Sequence, residues 1–424
     1  MSYFGAFTRY MEKVYGLITQ LEEVEDGRQN PVIPLASVLK GLFYGSSLGW
    51  GSIVEIEREC RDGGLRHRIG PISDDTFGYA LMHADVEAFE VMMAGMARAL
   101  KRNGVLREGL FRSKVVAVVD GIEVSHSFHR HCSTCLERKV VKGGREKTQW
   151  YHKVVVCCLV GGNFPIPIGL EFMNPGEGEV ACAERLLTRL IDALGIRFID
   201  IVVGDALYCT PGFFETSEAL GLIPVSILKE NQEALLQEAT LQQEASDPVR
   251  VLRDKKIETT LWDLPQVLWA TADRDVRVVW AEREKIGGGE EKPKGKKQHK
   301  HRKTHHREAN NEEEDDRHRV FVFPQVLADM PVELAYSLGC HRWDIDATLF
   351  MEMRQYWHLK HAALHSGTAY PNLLHIRFLA YLAVHLFFHR HINARRKRKM
   401  AGVIVMFKWL YVALIHEDPR SQSP

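Results

Sequence analysis

Two runs of β-branched residues, each closed by an aspartate, constrain the fold of this chain more than any other feature. The sequence reads VVAVVD up to Asp120 and FIDIVVGD up to Asp205. Such runs predict strands that are buried in a sheet. An ionised carboxylate next to a buried apolar run costs free energy unless it is paired or binds a cation. Both aspartates are therefore candidates for function, and the alternative for each is a turn or capping residue.

The elements around these runs follow a particular order. Three strands are predicted first, and then a helix, a strand, a helix and a strand. The two helices end before Gly195 and Gly221, residues that favour a helix C-terminus. In chain order the elements are Lys114–Val124, Tyr151–Val160, Asn163–Met173, Glu179–Leu194, Phe198–Val203, Gly212–Leu220 and Ile223–Leu228. The order β-β-β-α-β-α-β is that of the ribonuclease-H-like fold, so we predict a mixed α/β core.

The flanking segments differ from this core. Apolar residues at helical spacing (Phe4–Leu21, Ile33–Leu48, Val86–Leu100) predict a helical N-terminal domain at 1–110. The core would begin at 111–230 and return, with C-terminal helices, at 321–424. Between them, 231–320 is predicted to be a β-rich insertion with a low-complexity tail. That tail is basic at Lys292–Arg307 and acidic at Glu308–Asp316, and it is either a solvated segment or an arm that follows phosphates.

Composition places the chain among soluble intracellular proteins. Lys plus Arg equals Asp plus Glu at 55 each, so net charge gives no indication of a polyanionic partner. Eight cysteines in 424 residues resemble reduced thiols rather than a disulfide framework. The most apolar stretch, Phe378–Phe388, is shorter than the roughly 20 residues of a membrane span. We expect a cytoplasmic protein.

The two aspartates predict a metal site. The first and fourth strands are neighbours in a ribonuclease-H-like sheet, so Asp120 and Asp205 would emerge side by side. Adjacent carboxylates repel unless they share a proton or a metal, and hard oxygen ligands suit Mg²⁺ or Mn²⁺. A third acid from a late helix would complete a two-metal site. The candidate is Asp346 in HRWDIDATLF, where Ile345 and Leu349 would anchor the helix on the core together with Trp343.

Several stretches of this sequence resemble a known family. They are VVDGIEVSHSF, HCSTCLERK, YHKVVVCCLV, EFMNPGEGEVACAERLL, VVGDALY and HRWDID, in this order. Together they resemble insertion-sequence transposases of the "IS four" type over Val115–Leu359. The resemblance implies a ribonuclease-H-like core with a β-rich insertion between the second and third acids. It also implies cut-and-paste transposition, in which metal-dependent DNA cleavage at the element's ends precedes attack of the freed 3′-hydroxyl on target DNA.

The third acid departs from the family signature, which runs tyrosine, two residues, arginine, three residues, glutamate, six residues, lysine. Arg342 and Asp346 keep the spacing between arginine and acid. Aspartate replaces glutamate, however, while Gly339 and Met353 stand where tyrosine and lysine are expected. Aspartate is one methylene shorter, and small misplacements of a catalytic group reduce rates strongly. Three functions stay open: an active transposase, an inactive transposase-derived DNA-binding protein, or another ribonuclease-H-like metal endonuclease.

The resemblance also implies double-stranded DNA as partner, both the terminal inverted repeats and the target, and a homodimer on that DNA. The N-terminal helices are expected to read the element's ends, by analogy. Tyr208 either stacks on DNA or packs against the following turn. Arg342 either contacts a scissile phosphate or pairs with Asp346. A basic cluster is a candidate for phosphate binding or serves solubility at a helix terminus; it consists of Arg395, Arg396, Lys397, Arg398 and Lys399.

A group of cysteines and histidines follows the first strand. Cys132 and Cys135 are separated by two residues, His129 and His131 precede them, and His152 lies downstream. Paired cysteines with histidines are suitable zinc ligands. Two interpretations remain: a small zinc site formed by Cys132, Cys135 and His152, or ordinary thiols of a loop and core.

Overall fold

The computed structural model describes residues 3–254, 256–286, 317–361, 364–393 and 402–416. The chain divides into two compact units, which we call unit 1 (Met1–Phe198 with Asp344–Pro424) and unit 2 (Ile199–Trp343). The predicted charged tail, Lys292–Arg307 and Glu308–Asp316, lies outside the described residues. The same holds for the basic cluster Arg395, Arg396, Lys397, Arg398 and Lys399.

Unit 1 begins with seven helices among the described residues. They are α1 (Tyr3–Tyr15), α2 (Leu17–Glu22), α3 (Leu35–Ser47), α4 (Ile53–Arg61), α5 (Arg66–Ile69), α6 (Asp74–His83) and α7 (Val86–Arg102), and a 3-10 turn follows at Val105–Gly109. The predicted continuous helix Phe4–Leu21 is interrupted at Gly16, whose φ of 64° is a left-handed conformation that glycine adopts without steric cost. Ser73 caps α6 by accepting the Thr76 N–H at 3.3 Å.

The sheet of unit 1 contains four antiparallel strands and a covering helix. The strands are β1 (Val116–Ser127), β2 (Leu136–Lys142), β3 (Arg145–Leu159) and β4 (Ile166–Phe172). Strand β3 pairs with β1 along one edge and with β2 and then β4 along the other. Helix α8 (Glu179–Leu194) packs on β3 and β4 through its apolar face. Strand β2 was not predicted, because its residues LERKVVK are mostly exposed.

Unit 2 consists of a six-stranded sheet and three helices among its described residues. They are β5 (Ile201–Gly204), α9 (Pro211–Ala219), β6 (Ile223–Ile227), α10 (Glu233–Glu244), β7 (Arg250–Arg253), β8 (Ile257–Trp269), β9 (Arg274–Lys285), β10 (His318–Pro324) and α11 (Val332–Cys340). The strand order is β5-β6-β10-β9-β8-β7. Only β5 and β6 are parallel within this set. Short 3-10 turns lie at Ala206–Tyr208, Glu230–Gln232, Ala270–Ala272 and Gln325–Leu327.

The predicted β-rich segment is present in unit 2, but its strand boundaries differ from those predicted. Two predicted strands, Lys256–Trp262 and Val267–Thr271, form the single strand β8, whose register shifts between Leu264 and Val267. Pro265 lies at that shift, where a missing N–H breaks no ladder bond. Helix α10 was not predicted from the sequence.

From Asp344 the chain returns to unit 1, and most of the residues that the structure describes there are helical. A short helix α12 (Arg342–Asp344) leads into a π-helical turn (Ile345–Phe350) and α13 (Met351–Gln355). Helix α14 (Ala369–Leu386) continues as a π-helical turn (Phe387–Asn393), and α15 (Val403–Ile415) follows. The segment Ala369–Ile392 is long and apolar enough to cross a membrane, but 94% of the apolar 18-residue window within it is buried inside the protein, as expected of a core helix.

Helix α14 forms the centre of the helical part of unit 1 and packs against α3, α6 and α7. Polar groups fix the contact. The buried Asn372 amide donates to the carbonyls of Leu81 (2.8 Å) and Ala84 (2.9 Å), and Arg377 donates to Gly51 at 2.9 Å. The predicted mixed α/β class, with N-terminal helices and a later β-rich segment, is confirmed, with β2 as an additional strand.

Candidate active site

Asp120 lies inside strand β1, which continues to Ser127, rather than at the strand end that was predicted, and it is buried with 5% of its surface exposed. Its Oδ1 accepts the backbone N–H of Gly121 at 2.8 Å, and it stands opposite Val156 of β3. The residues before it in the strand are buried and apolar. Burial among such residues penalises an isolated carboxylate, so this position is suited to a charged group that binds a cation.

A buried carboxylate lies next to Gly121, on the face of β1 opposite to the Asp120 side chain. A Cβ added at Gly121 would stand 2.6 Å from Oε1 of Glu179, so the glycine leaves the space that this side chain occupies. Glu179 is the first residue of α8, is buried, and forms an ion pair with Lys153 of β3. This proximity cannot be predicted from the sequence, because Glu179 and Gly121 lie on separate elements far apart in the chain.

Asp205 directly follows β5 in unit 2. Its Oδ1 accepts the Leu207 N–H at 2.8 Å and so caps the 3-10 turn Ala206–Tyr208. Its Oδ2 lies 3.8 Å from Nη2 of Arg342, whose side chain is 13% exposed. Asn231 donates to the carbonyl of Ala206 at 2.6 Å and holds the turn from the other side. The arginine therefore places a positive charge next to the second predicted acid.

Tyr208 is not placed to stack on a nucleic-acid base. Its side chain is fully buried and its ring centroid lies 5.1 Å from that of Phe213. The backbone of Gly204 approaches the ring so closely that a Cβ there would overlap it. The alternative, packing against the following turn, therefore describes Tyr208, and the DNA-stacking prediction is corrected.

Asp346 lies in the π-helical turn between α12 and α13. Ile345 and Leu349 are fully buried and anchor the turn in the core as predicted, whereas Trp343 is only partly buried. Turns of π-helix are rare and are frequent at functional sites. The following segment is held by a hydrogen bond between Glu352 and His385 of α14, with a distance of 2.9 Å between Oε2 and Nε2.

A second acid in HRWDID also lies near the Asp120 strand. Burial raises the pKa of the Cys158 thiol well above its ordinary value, and the negative charges of Asp344 and Asp120 raise it further. Cys158 pairs with Val118 of β1. Residues two positions apart on an α-helix point about 200° away from each other, so Asp344 and Asp346 occupy different faces of a regular helix. Asp346 was predicted from the apolar residues that would anchor its helix and from the family spacing, and Asp344 was not considered.

The two other departures from the family signature have packing reasons. Gly339 lies against the ring of Phe321, and a Cβ there would be 2.6 Å from its Cγ, so a tyrosine does not fit. Met353 is fully buried, a position that would desolvate a lysine ammonium. Both residues therefore fit the local packing of this chain rather than the family pattern.

The predicted cysteine and histidine residues come together with one additional ligand. Cys132, Cys135, His152 and His365 offer ligand atoms that all lie within 4.8 Å of one another. Burial, followed by the nearby His365, lowers the pKa of His152 to about 4, so its ring is neutral near pH 7. His131 is not part of this group and stacks on Trp150 at 4.8 Å. His365 was missed because it lies far along the chain from the cysteine pair.

Comparisons with known proteins cover most of the chain. A family model described as "Transposase DDE domain" matches residues 112–383. A cryo-EM structure of a piggyBac transposase synaptic complex with hairpin DNA is similar at 10% sequence identity, covering 99% of this chain and 82% of that chain, with a TM-score of 0.44. No curated protein matches the sequence.

Proposed function

The chain belongs to the transposase DDE domain family, and from this premise we propose that it is an insertion-sequence transposase of the "IS four" type. In this proposal the protein cuts DNA at the ends of its element and joins the freed ends to target DNA. The observation that carries the proposal is the family match over residues 112–383, which includes Asp120, Asp205 and Asp346.

The proposal assigns the three aspartates to Mg²⁺ or Mn²⁺, which prefer carboxylate oxygens. Bound divalent ions would activate the attacking oxygen and stabilise the leaving oxygen of the phosphodiester. The chain orients the ligands itself: Asp120 accepts the Gly121 N–H and Asp205 accepts the Leu207 N–H, so one oxygen of each is fixed. Carboxylates that are held before the metal arrives need less reorganisation during the reaction.

Arg342 is assigned to the same chemistry. Its guanidinium, 3.8 Å from Asp205, offers a planar donor group suited to a phosphate. We propose that it contacts the scissile phosphate while the neighbouring aspartate binds metal. The partners would be double-stranded DNA, in the form of terminal inverted repeats and target, and a second copy of the chain on that DNA. We assign recognition of the element's DNA ends to the N-terminal helices. We also propose that the protein acts in the bacterial cytosol.

The test uses full-length protein and DNA that carries the terminal inverted repeats flanking its own gene. Cleavage at the element boundary should need Mg²⁺ or Mn²⁺, and each should be tested separately. Asp120→Asn and Asp205→Asn should reduce the rate at least about 10³-fold, as loss of a catalytic group does. Asp192→Asn, which changes an exposed acid on α8, is the matched control and should cleave normally. Metal-independent cleavage, or full activity of both variants, would refute the proposal.

The third acid needs its own comparison. If Asp346 is the ligand, Asp346→Asn should lose cleavage while Asp344→Asn keeps most of it. The opposite result would transfer the role to Asp344, whose charge acts on the same buried thiol as that of Asp120. Asp346→Glu restores the family residue, and a large gain in cleavage would identify a weakened enzyme.

A second candidate function is an inactive transposase-derived DNA-binding protein. The aspartate at position 346 is the observation that favours it. Specific binding to the element's ends without cleavage in either metal would support this function. Metal-dependent cleavage without preference for the element boundary would instead indicate another ribonuclease-H-like endonuclease.

A further inference from the structure

We propose that Cys132, Cys135, His152 and His365 bind one zinc ion, and that this site is structural. The two sulfur atoms are 3.6 Å apart. Nε2 of His152 lies 3.4 Å from Sγ of Cys132 and 3.5 Å from Sγ of Cys135. Nε2 of His365 lies 3.1 Å from Sγ of Cys135. The four atoms thus surround one point.

These distances can be compared with those in a tetrahedral zinc site. With Zn–S near 2.3 Å and Zn–N near 2.0–2.1 Å, tetrahedral angles put two sulfurs about 3.8 Å apart and a sulfur and a nitrogen about 3.6 Å apart. The observed separations of 3.6, 3.4 and 3.5 Å lie within about 0.2 Å of these values. The distance of 3.1 Å from His365 to Cys135 is about 0.5 Å shorter, and no two of the four ligand atoms are more than 4.8 Å apart, so binding of the ion requires side-chain adjustment mainly at His365. The thiolate and imidazole ligands favour zinc over the hard ions Mg²⁺ and Mn²⁺.

The turn that carries the two cysteines is already shaped for a metal. The N–H of Cys135 donates to the carbonyl of Cys132 at 3.2 Å, and the N–H of Cys132 points to Sγ of Cys135 at 3.3 Å. A backbone donor to a thiolate stabilises the negative charge that a metal ligand carries. The sequence supplies the separation of two residues that this turn needs.

Surrounding residues fix the histidine ligands. His152 is 3% exposed, with the rings of Phe172 and Tyr370 at centroid distances of 6.1 and 5.5 Å. The segment that carries His365 rests on the cysteine turn independently of the ligands, because a Cβ at Gly367 would lie 3.6 Å from Thr134. An apolar shell of this kind excludes solvent from a metal.

Four protein ligands complete a tetrahedral zinc sphere and leave no position for substrate, which is the mark of a structural site. The ion would join three separate parts of unit 1: the link between β1 and β2, strand β3, and the segment that precedes α14. His152 stands opposite Ser125 on β1, the strand that also carries Asp120. The segment with His365 follows the helical turns that carry Asp344 and Asp346. Zinc would therefore link the segment that follows Asp346 to β3 and to the chain that follows β1, the strand that carries Asp120.

The test is the metal content of full-length protein purified under reducing conditions without added zinc. We expect one zinc ion per chain. Protein in which Co²⁺ replaces zinc should show the absorption of a tetrahedral ion with two thiolate ligands. Cys135→Ser and His365→Ala should weaken zinc binding at least about 100-fold. The matched controls Cys340→Ser and His361→Ala, which change the same residue types outside the group, should keep one zinc ion.

The Co²⁺ spectrum of unmodified protein keeps the proposal testable even where a variant fails to fold. Absence of bound zinc in reduced protein supplied with zinc would overturn the site. Full zinc affinity in His365→Ala would overturn the closed coordination. Zinc content is measured without DNA, so it is independent of the transposase proposal: Asp120→Asn should keep the zinc ion although it loses cleavage. Chelation should lower the Tm of unmodified protein, and an unchanged Tm would contradict the structural role.

Discussion

Gly121→Ala is the substitution through which the contact between Gly121 and Glu179 can be measured. The new Cβ would stand 2.6 Å from Oε1 of Glu179, whereas carbon and oxygen atoms in contact prefer about 3.5 Å. The new Cβ and the Glu179 side chain must therefore move apart by close to 1 Å. Glu179 has little freedom to move, because it is buried and paired with Lys153. Overpacking of this kind costs about 1–3 kcal/mol, so we expect the free energy of unfolding to fall by that amount.

Removal of Glu179 should reverse the sign of this effect. In a Glu179→Ala background the space is open, and alanine then replaces a glycine inside a strand. Glycine in a strand is less stable than alanine by about 0.5–1 kcal/mol, so Gly121→Ala should become neutral or stabilising there. The four proteins form a double-mutant cycle, measured by urea unfolding, with a coupling free energy of about 1–4 kcal/mol.

An equal cost of Gly121→Ala in both backgrounds would refute the assignment of Glu179 as the neighbour. Cleavage of element-end DNA adds a second measurement. Displacement of the strand beside Asp120 by a few tenths of an ångström should reduce the rate, since misplacement by about 1 Å can cost about 100-fold. The double variant should recover the part of the rate that was lost through the overlap.

Three further predictions concern stability. Asp263→Ala leaves the buried Arg277 guanidinium without the carboxylate that it contacts at 2.7 and 2.8 Å, and should lower the free energy of unfolding by about 3 kcal/mol in urea. Asn372→Ala removes two buried hydrogen bonds and should cost about 2–4 kcal/mol, whereas the exposed Thr368→Ala control should cost less than about 1 kcal/mol. Burial, opposed by Arg189, raises the pKa of Glu90 from 4.5 to about 7. The contribution of protonated Glu90 to the free energy of unfolding is therefore fully present below pH 4.5 and is lost as the pH rises through 7. Glu90→Gln should flatten this pH dependence, which can be measured by unfolding the protein at several pH values across that range.

The elements that were predicted correctly carry strong local signals. Strands β1 and β5 are runs of buried β-branched residues, so burial on both faces can be read from composition. Helix α8 has one apolar face and ends at Gly195. Strand β2 lacks such a signal, because charged residues on an exposed strand do not alternate with apolar ones. Pairing with β3 supplies its stability, and pairing is a property of the whole sheet.

Site residues that depend on tertiary contact could not be found from the sequence. The cysteine pair is visible because its spacing is local, whereas His365 is brought to it only by packing of the segment before α14. Glu179 is the first residue of α8, and its approach to Gly121 follows from the way α8 packs on the sheet. Tyr208 was misread because its aromatic type suits both a core and a nucleic-acid surface, and only burial separates the two.

The position of the third acid depends on the core of unit 1 more than on its own helix. The π-helical turn that carries Asp346 is anchored by the buried Ile345 and Leu349 and is followed by the pair of Glu352 with His385 of α14. Helix α14 in turn is held to the N-terminal helices through Asn372. The position of the Asp346 side chain therefore depends on the positions of these buried residues and of α14. Substitutions that loosen α14 should therefore reduce cleavage before they unfold the protein, because catalysis is sensitive to displacements far smaller than those that abolish packing.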